Sequence, residues 1–340
     1  MELKQLHGDE RDIFWGFAES RIGGRQENQD SFGSRKTKVG FVVTVCDGMG
    51  GGPGGKTASS MAVKEILSSI EKASGEEETS NILLQAIRKA NLSIWEYAKF
   101  HPKFKGMGST ATVLLLNENI AYVAHVGDSR VYQLRGRRKI FRTFDHSMVF
   151  DLVKQKIISE EQARLSVQSN IITRALGIRQ NVDIDIACLP YEKGDRFLLC
   201  TDGIHGTMPE KELLRMLSKT ASLGTIVDDV ATFVDQNGHN LGGGHDNLTL
   251  AMVQTKSNSK IKPKMSKKVK LFVVLLSLLL VFSVGLNCYQ MIRISNLQGK
   301  IDLLANQQEK AVKVNSKIST KEKPQSSQDK VDNNKNLNNI

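Results

Sequence analysis

Four aspartates stand at the ends of apolar runs, and that placement limits what this chain can fold into. Asp47 follows Phe41-Val42-Val43-Thr44-Val45-Cys46. Asp128 follows the run that ends in Val126-Gly127, and Asp202 follows Phe197-Leu198-Leu199-Cys200-Thr201. Asp246 stands just before Leu248-Thr249-Leu250-Ala251-Met252-Val253. Each run has strand length and no charge, so it reads as a buried strand. A carboxylate at a strand end is aimed by a rigid scaffold. Four such groups, distant in sequence, can converge on one cluster. Converging carboxylates repel unless hard cations sit between them. No Cys or His pattern accompanies them, so Mg²⁺ or Mn²⁺ fits and Zn²⁺ does not.

The net charge of +11 over 340 residues suggests a nucleic-acid footprint until it is divided. Residues 1–255 carry 31 basic and 31 acidic side chains, whereas 256–340 carry 16 and 5. The excess lies wholly in the C-terminal part, so the main domain has no electrostatic motive to bind nucleic acid. Cys46, Cys188, Cys200 and Cys288 form no close-spaced pair, which predicts reduced, buried thiols in a cytosolic domain. Residues 1–11 are charged and lack the apolar core of a signal peptide.

Residues 1–255 alternate strand and helix patterns with short connections. Strands are expected over 13–20, 38–46, 110–116, 120–126, 130–134, 184–189, 196–200 and 248–254. Helices are expected over 54–73, 79–100 with Thr79 as N-cap, 146–165, 209–219 and 223–236. The three strands from 110 to 134 read as a meander with turns at 117–119 and 127–129. Hairpin-linked strands with helices in blocks predict an α+β domain of packed antiparallel sheets covered by helices, not a doubly wound parallel sheet.

Residues 256–270 form a linker with seven lysines. Residues 271–292 run without a charge. A helix of that length spans about 33 Å, enough for a hydrocarbon core of about 30 Å, so a transmembrane helix is expected. Beyond it, Ile294, Leu297, Ile301 and Leu304 have a 3-4-3 spacing that fits a short helical seam. The tail 293–340 is polar, and from about residue 312 it should be disordered. The lysine-rich flank predicts a cytoplasmic catalytic domain and a tail on the far side of the cell membrane.

The ordered motifs include Arg25-Gln26-Glu27-Asn28-Gln29-Asp30, Asp47-Gly48-Met49-Gly50-Gly51 and Gly108-Ser109-Thr110-Ala111-Thr112. Gly127-Asp128-Ser129-Arg130, Asp145-His146-Ser147 and Ile172-Thr173-Arg174-Ala175-Leu176-Gly177 follow, then Cys200-Thr201-Asp202-Gly203 and Asp246-Asn247-Leu248-Thr249. Together they resemble the metal-dependent, type-2C serine/threonine protein phosphatases over about residues 13–254. The resemblance implies a sandwich of two antiparallel β-sheets flanked by helices. It implies hydrolysis of phosphoserine and phosphothreonine in proteins by a metal-bridging water, opposing a serine/threonine kinase. It implies two tight Mn²⁺ or Mg²⁺ ions and a weaker third. In that reading Asp47 bridges the ions and Gly48 offers its carbonyl, since two divalent ions about 3.5–4 Å apart serve phosphate-ester hydrolysis. Asp202 and Asp246 complete the first ion's shell, and Asp30 acts through a metal-bound water at the second. Asp128 helps hold the third ion with Asp202. Arg25 is the phosphate hand, whose planar fork holds two oxygens as a lysine cannot.

Residues 145–177 correspond to the family's mobile flap, and Lys156 stands where a turn glycine is usual. Met49 occupies a position that is histidine in some members. His146, His205, His239 and His245 lie near motifs, but no spacing makes any of them a general acid. Two alternatives to the phosphatase stand beside it. One is a catalytically weak, membrane-tethered interaction module on the same fold. The other is a P-loop NTPase, because Gly50 to Thr57 matches the phosphate-loop spacing.

Overall fold

A computed structural model of the chain describes residues 3–6, 12–50, 53–168, 170–240, 242–260 and 267–319. Two compact units divide it between Pro263 and Lys264. In the first, β1 (Lys4–Gln5), β2 (Phe14–Arg21), β3 (Ser31–Thr37), β4 (Gly40–Cys46) and β5 (Gly48–Met49) precede α1 (Pro53–Glu71) and α2 (Thr79–Phe100). Then come β6 (Gly108–Ser109), β7 (Ala111–Leu116), β8 (Ala121–Val126), β9 (Arg130–Arg135) and β10 (Arg138–Arg142). After α3 (Met148–Lys154) and α4 (Glu160–Arg164) follow β11 (Asp185–Leu189) and β12 (Arg196–Cys200). The unit closes with α5 (Asp202–His205), α6 (Glu210–Leu217), α7 (Leu223–Asn240) and β13 (Leu248–Thr255).

The strands form the expected sandwich. One sheet has the order β1-β2-β13-β12-β9-β10 and the other β11-β8-β7-β4-β3, every pairing antiparallel. Alternation along the strands builds the layers. On β4, Phe41, Val43 and Val45 face the opposite sheet, where Phe197, Leu199, Ala251 and Val253 meet them. Val42 and Cys46 face outward under α1 and α2, among Ile66, Ile70, Leu83 and Ile87. The other outer layer is α6 and α7, whose Leu213, Leu217, Ile226 and Val230 cover Leu198, Leu250 and Met252.

Several expectations need correction. The meander breaks after β8: β9 leaves for the other sheet and pairs with β12 and β10, while β11 takes the place beside β8. The turn at Gly127 makes the crossing, with φ +102, a conformation that glycine adopts at little cost. The stretch 146–165 is two short helices, not one. They part at Lys156, which has φ +60, the one non-glycine residue with positive φ among those described. The N-cap of α2 is Glu78, not Thr79, and it makes no side-chain cap bond. Cys46 and Cys200 are buried and their thiols are pushed up to about 12 by burial, but Cys188 and Cys288 are exposed.

In the second unit, α8 (Lys267–Ser319) is a single helix. It contains a stretch, Val274–Lys310, long and apolar enough to cross a membrane. The helix continues past residue 312, where disorder was expected, because Gln, Glu, Lys and Ala are good helix formers and Glu309 pairs with Lys313 at 2.6 Å. Residues 261–266 of the linker and 320–340 of the tail lie outside the described residues.

Candidate metal centre and active site

Five carboxylates come to one end of the sandwich, where β4, β8 and β12 finish and β3 and β13 begin. Asp47 follows β4, Asp128 follows β8 by one glycine, and Asp202 opens α5 one residue after β12. Asp246 lies two residues before β13, and Asp30 immediately before β3. A cleft of about 500 Å³ opens here, lined by Arg25, Asp47, Gly48, Asp128, Asp202 and Asp246. Asp30 is buried, and Thr201 Oγ1 donates to its Oδ2 at 2.9 Å. All seven residues singled out in the sequence therefore belong to this one region.

The field in the cluster is that of crowded, desolvated anions. Burial pushes Asp30 up to about 7, against hydrogen bonds from Thr249 and Thr201, with Asp202 and Asp246 adding to the rise. Burial holds Asp47 well above the usual carboxylate range, and Asp30, Asp202, Asp128 and Asp246 all add repulsion. Asp128 is raised by burial, then by Asp202 and Asp145. Asp202 is raised to about 6 by burial, then by Asp246. Protein groups alone leave the cluster uncompensated. The Oδ1 atoms of Asp30 and Asp202 are buried with no hydrogen-bond partner, and an orphaned acceptor costs about 1–3 kcal/mol. Orphaned carboxylate oxygens among repelling carboxylates fit hard divalent cations with oxygen ligands. The donors at this cluster are all oxygen, which suits Mn²⁺ or Mg²⁺ better than Zn²⁺.

Backbone anchoring is dense. Asp47 N–H donates to Thr110 Oγ1 at 2.8 Å, and Thr110 N–H donates to Asp47 O at 2.8 Å. Gly48 tolerates no side chain, since a Cβ there would stand 2.0 Å from the Gly55 carbonyl oxygen. Arg25 is half exposed and donates to Asp246 Oδ2 at 2.8 Å. Asn247, quoted in a motif but given no role from sequence, ties the site together. Its Nδ2 donates to the Ile22 and Glu27 carbonyls at 2.7 and 2.9 Å, and its Oδ1 accepts from Gln29 N–H at 2.8 Å. It thus fixes the loop between Arg25 and Asp30. Its partners lie more than 215 positions away, so only the fold reveals them.

Lys56, the residue behind the phosphate-loop reading, donates to the Asp30 carbonyl at 2.7 Å, and α1 begins at Pro53. The lysine braces the carboxylate site. Among the histidines near motifs, burial depresses His146 and drives His205 well below its ordinary value. Both are therefore neutral near pH 7 and carry no imidazolium proton to donate. His146 accepts from Gly127 N–H through Nδ1 at 3.1 Å, and His205 Nε2 lies 3.0 Å from Asp128 O. Both brace the turn that carries Asp128.

Beside the cleft, α3 and α4 form the segment expected as a flap. A small cluster of Val149, Phe150 and Ala163 holds them together. Ser159 and Gln162 close a capping box at the start of α4. Arg142 joins Glu160 of α4 to Glu210 of α6. Ser169, within the 145–177 segment, lies outside the described residues.

Known proteins are similar to this chain in sequence and fold. The family model described as protein phosphatase 2C matches residues 19–242. The serine/threonine phosphatase Stp of Listeria monocytogenes is 33% identical over 234 residues, 68% of this chain and 91% of that protein. The protein phosphatase PhpP of Streptococcus pneumoniae is 31% identical over 235 residues, 67% of this chain and 92% of its own. Among solved structures, Stp1 from Staphylococcus aureus superposes with a TM-score of 0.67 at 28% identity, covering 74% of this chain and all of that one. The catalytic domain of the phosphatase PstP, in complex with two manganese ions, gives 0.61 at 26% identity over 72% of this chain and 99% of that one. With the carboxylate cluster, the sandwich and these matches in agreement, the chain belongs to the protein phosphatase 2C family and is a serine/threonine phosphatase of the bacterial type.

Proposed function

We propose that the protein removes phosphate from phosphoserine and phosphothreonine side chains at a dinuclear Mn²⁺ or Mg²⁺ centre. In this reading it works on the cytoplasmic face of the cell membrane, opposing a serine/threonine kinase. The observation that carries the reading is the set of carboxylates from separate strands with orphaned buried oxygens on Asp30 and Asp202. Asp47, which feels every other carboxylate of the set, would be the chief ligand. Asp202, Asp246 and the Gly48 carbonyl would complete the set, with Asp30 in support through water. Asp128 with Asp202 would hold a third, weaker ion. When bound, the ions supply a nucleophilic water near neutral pH and neutralise charge on the phosphoryl oxygens.

The chain's own part is orientation and charge placement. Arg25 turns its guanidinium from Asp246 to two phosphate oxygens, and the change of partner costs little because its side chain is half exposed. Asn247 and Lys56 keep the loop from Arg25 to Asp30 in place. Neutral His146 and His205 leave leaving-group protonation to water. Residues 271–292, the charge-free part of α8, serve as the membrane anchor, and the lysines of 256–270 favour anionic lipid by about 1 kcal/mol each near the surface.

The test is turnover of a phosphothreonine peptide by the full chain in mild detergent. Activity should require Mn²⁺ or Mg²⁺ and vanish with a chelator. Asp47→Asn should lose at least about a thousandfold in kcat, a barrier rise of about 4 kcal/mol. Asp202→Asn and Asp246→Asn should follow. Full activity in chelator, or an unimpaired Asp47→Asn protein, rules the reading out.

A further inference from the structure

A second cluster lies near the first and has different chemistry. Asp235 and His239 stand one turn apart on α7, and His245 comes from the loop that follows. One ligand atom from each of the three lies within 4.8 Å of the others. His245 Nε2 is 2.9 Å and His239 Nε2 is 3.7 Å from the same oxygen, Asp235 Oδ1. Ligands about 2.0–2.1 Å from one tetrahedral ion stand roughly 3.3–3.4 Å apart. The two separations from Asp235 bracket that value, and the two imidazole ligand atoms lie within 4.8 Å of each other.

The surroundings are shaped for the cluster. Arg21 Nη1 lies 3.5 Å from the other carboxylate oxygen, Oδ2, which leaves Oδ1 to the two imidazoles. Outer partners that orient a ligand in this way are the usual support of a metal site. Gly238 makes room on the helix, since a Cβ there would stand 2.2 Å from His245 Cγ. The His245 side chain is 9% exposed, and its Nδ1 is buried with no hydrogen-bond partner. His239 is 63% exposed, so an ion can reach the site from solvent.

We propose that Asp235, His239 and His245 form a separate site for a divalent transition ion of the Zn²⁺ class. Two imidazoles and one carboxylate suit Zn²⁺, Ni²⁺ or Cu²⁺, whereas Mg²⁺ prefers oxygen. The chain thus sorts two kinds of ion by donor type: hard ions among the aspartates, a borderline ion on α7. The second site also acts on position. His245 precedes Asp246, and its carbonyl accepts from Gly24 N–H at 3.0 Å, beside Arg25. Three glycines with positive φ, Gly242, Gly243 and Gly244, lead into it. An ion here clamps that glycine-rich loop to α7.

Cu²⁺ tests the site because its EPR spectrum reports nitrogen ligands, which the aspartate cluster lacks. The full chain in mild detergent is given excess Mg²⁺, which is EPR-silent and occupies the oxygen donors, and then one equivalent of Cu²⁺. The expected spectrum shows superhyperfine coupling to two imidazole nitrogens, and it fades only under a large excess of Zn²⁺, since Cu²⁺ is the tighter ion at such donors. His239→Ala removes an exposed side chain, so the fold and the basal phosphatase rate should persist. That variant should lose one nitrogen coupling and bind Cu²⁺ at least about tenfold more weakly, because loss of even an outer partner of a metal ligand costs about that much. His239→Cys should restore Zn²⁺ binding. A spectrum without nitrogen coupling, or one unchanged in His239→Ala, overturns the proposal.

Discussion

Arg25 touches Asp246 at 2.8 Å, and in the proposed reaction the same guanidinium passes to the substrate phosphate. A clamp of this kind acts in ground and transition states alike. Arg25→Ala should raise KM for a phosphopeptide about tenfold or more, the worth of a charge-assisted bond of about 1.5–3 kcal/mol, with a smaller change in kcat. Arg25→Lys should not restore the loss, because an ammonium cannot hold two oxygens in one plane. Steady-state kinetics decides both. Asn247 raises a different expectation. Its amide makes three bonds to the Arg25 loop, and at roughly 1 kcal/mol each, Asn247→Ala should cost about 3 kcal/mol in denaturant unfolding. Residue types at strand ends made Asp47, Asp128, Asp202 and Asp246 readable in the sequence. Asn247 and Lys56 were not readable as braces, since what each does depends on a backbone atom brought near by folding. The Asp235–His239 pair carried a usable signal in its i,i+4 spacing, but the third member comes from a loop.

Among the elements, strands buried on both faces announced themselves. β4, β7, β8, β12 and β13 are mostly apolar runs rich in Val, Leu, Ala and Phe. The edge strands β3 and β10 did not, because Ser-Arg-Lys-Thr and Arg-Lys sequences keep them half open to water. The crossing from β8 to β9 was hidden too, since a glycine turn reads alike whether the next strand returns to its own sheet or joins another. Lys156 offers a test. A non-glycine residue in the left-handed region costs about 1–2 kcal/mol, and glycine gives back about 0.5–1 kcal/mol through unfolded-chain entropy. Lys156→Gly should therefore stabilise the α3–α4 segment by about 0.5–1 kcal/mol, read as stronger hydrogen-exchange protection in that segment.

For the whole molecule, pH acts with two signs. Asp30 and Asp202 have folded values of about 7 and 6 against an ordinary 3.8. Between those limits the folded, metal-free protein holds protons that the unfolded chain releases, so its stability falls as pH rises from about 4 to 7. Divalent ions should remove that loss, and the rise in Tm on adding Mg²⁺ should be larger at pH 8 than at pH 5. His125 works the other way. Burial, with His146 beside it, lowers it to about 3 from 6.5. The stability it leaves intact at neutral pH is lost as pH falls from 6.5 towards 3. Neither ring nitrogen of His125 has a hydrogen-bond partner, so His125→Leu should flatten the acid limb of the Tm profile. Topology is checked separately. By the lysine bias of 256–270, protease added to intact spheroplasts should remove a C-terminal tag and spare an N-terminal one.

β13 lies between β2 and β12 in its sheet, joining the first long strand of the domain to the strand made just before it. A ribosome making roughly 5–20 residues per second needs about 10–50 s to travel from one to the other. Throughout that interval β2 has an open edge that invites mispairing. Asp246, two residues ahead of β13, arrives in the same stroke that closes the sheet. A nascent chain, or one cut short before Asp246, lacks both β13 and part of the cluster and should show no phosphatase turnover. Closure of the sheet and completion of the cluster are thus tied to one late segment of the chain.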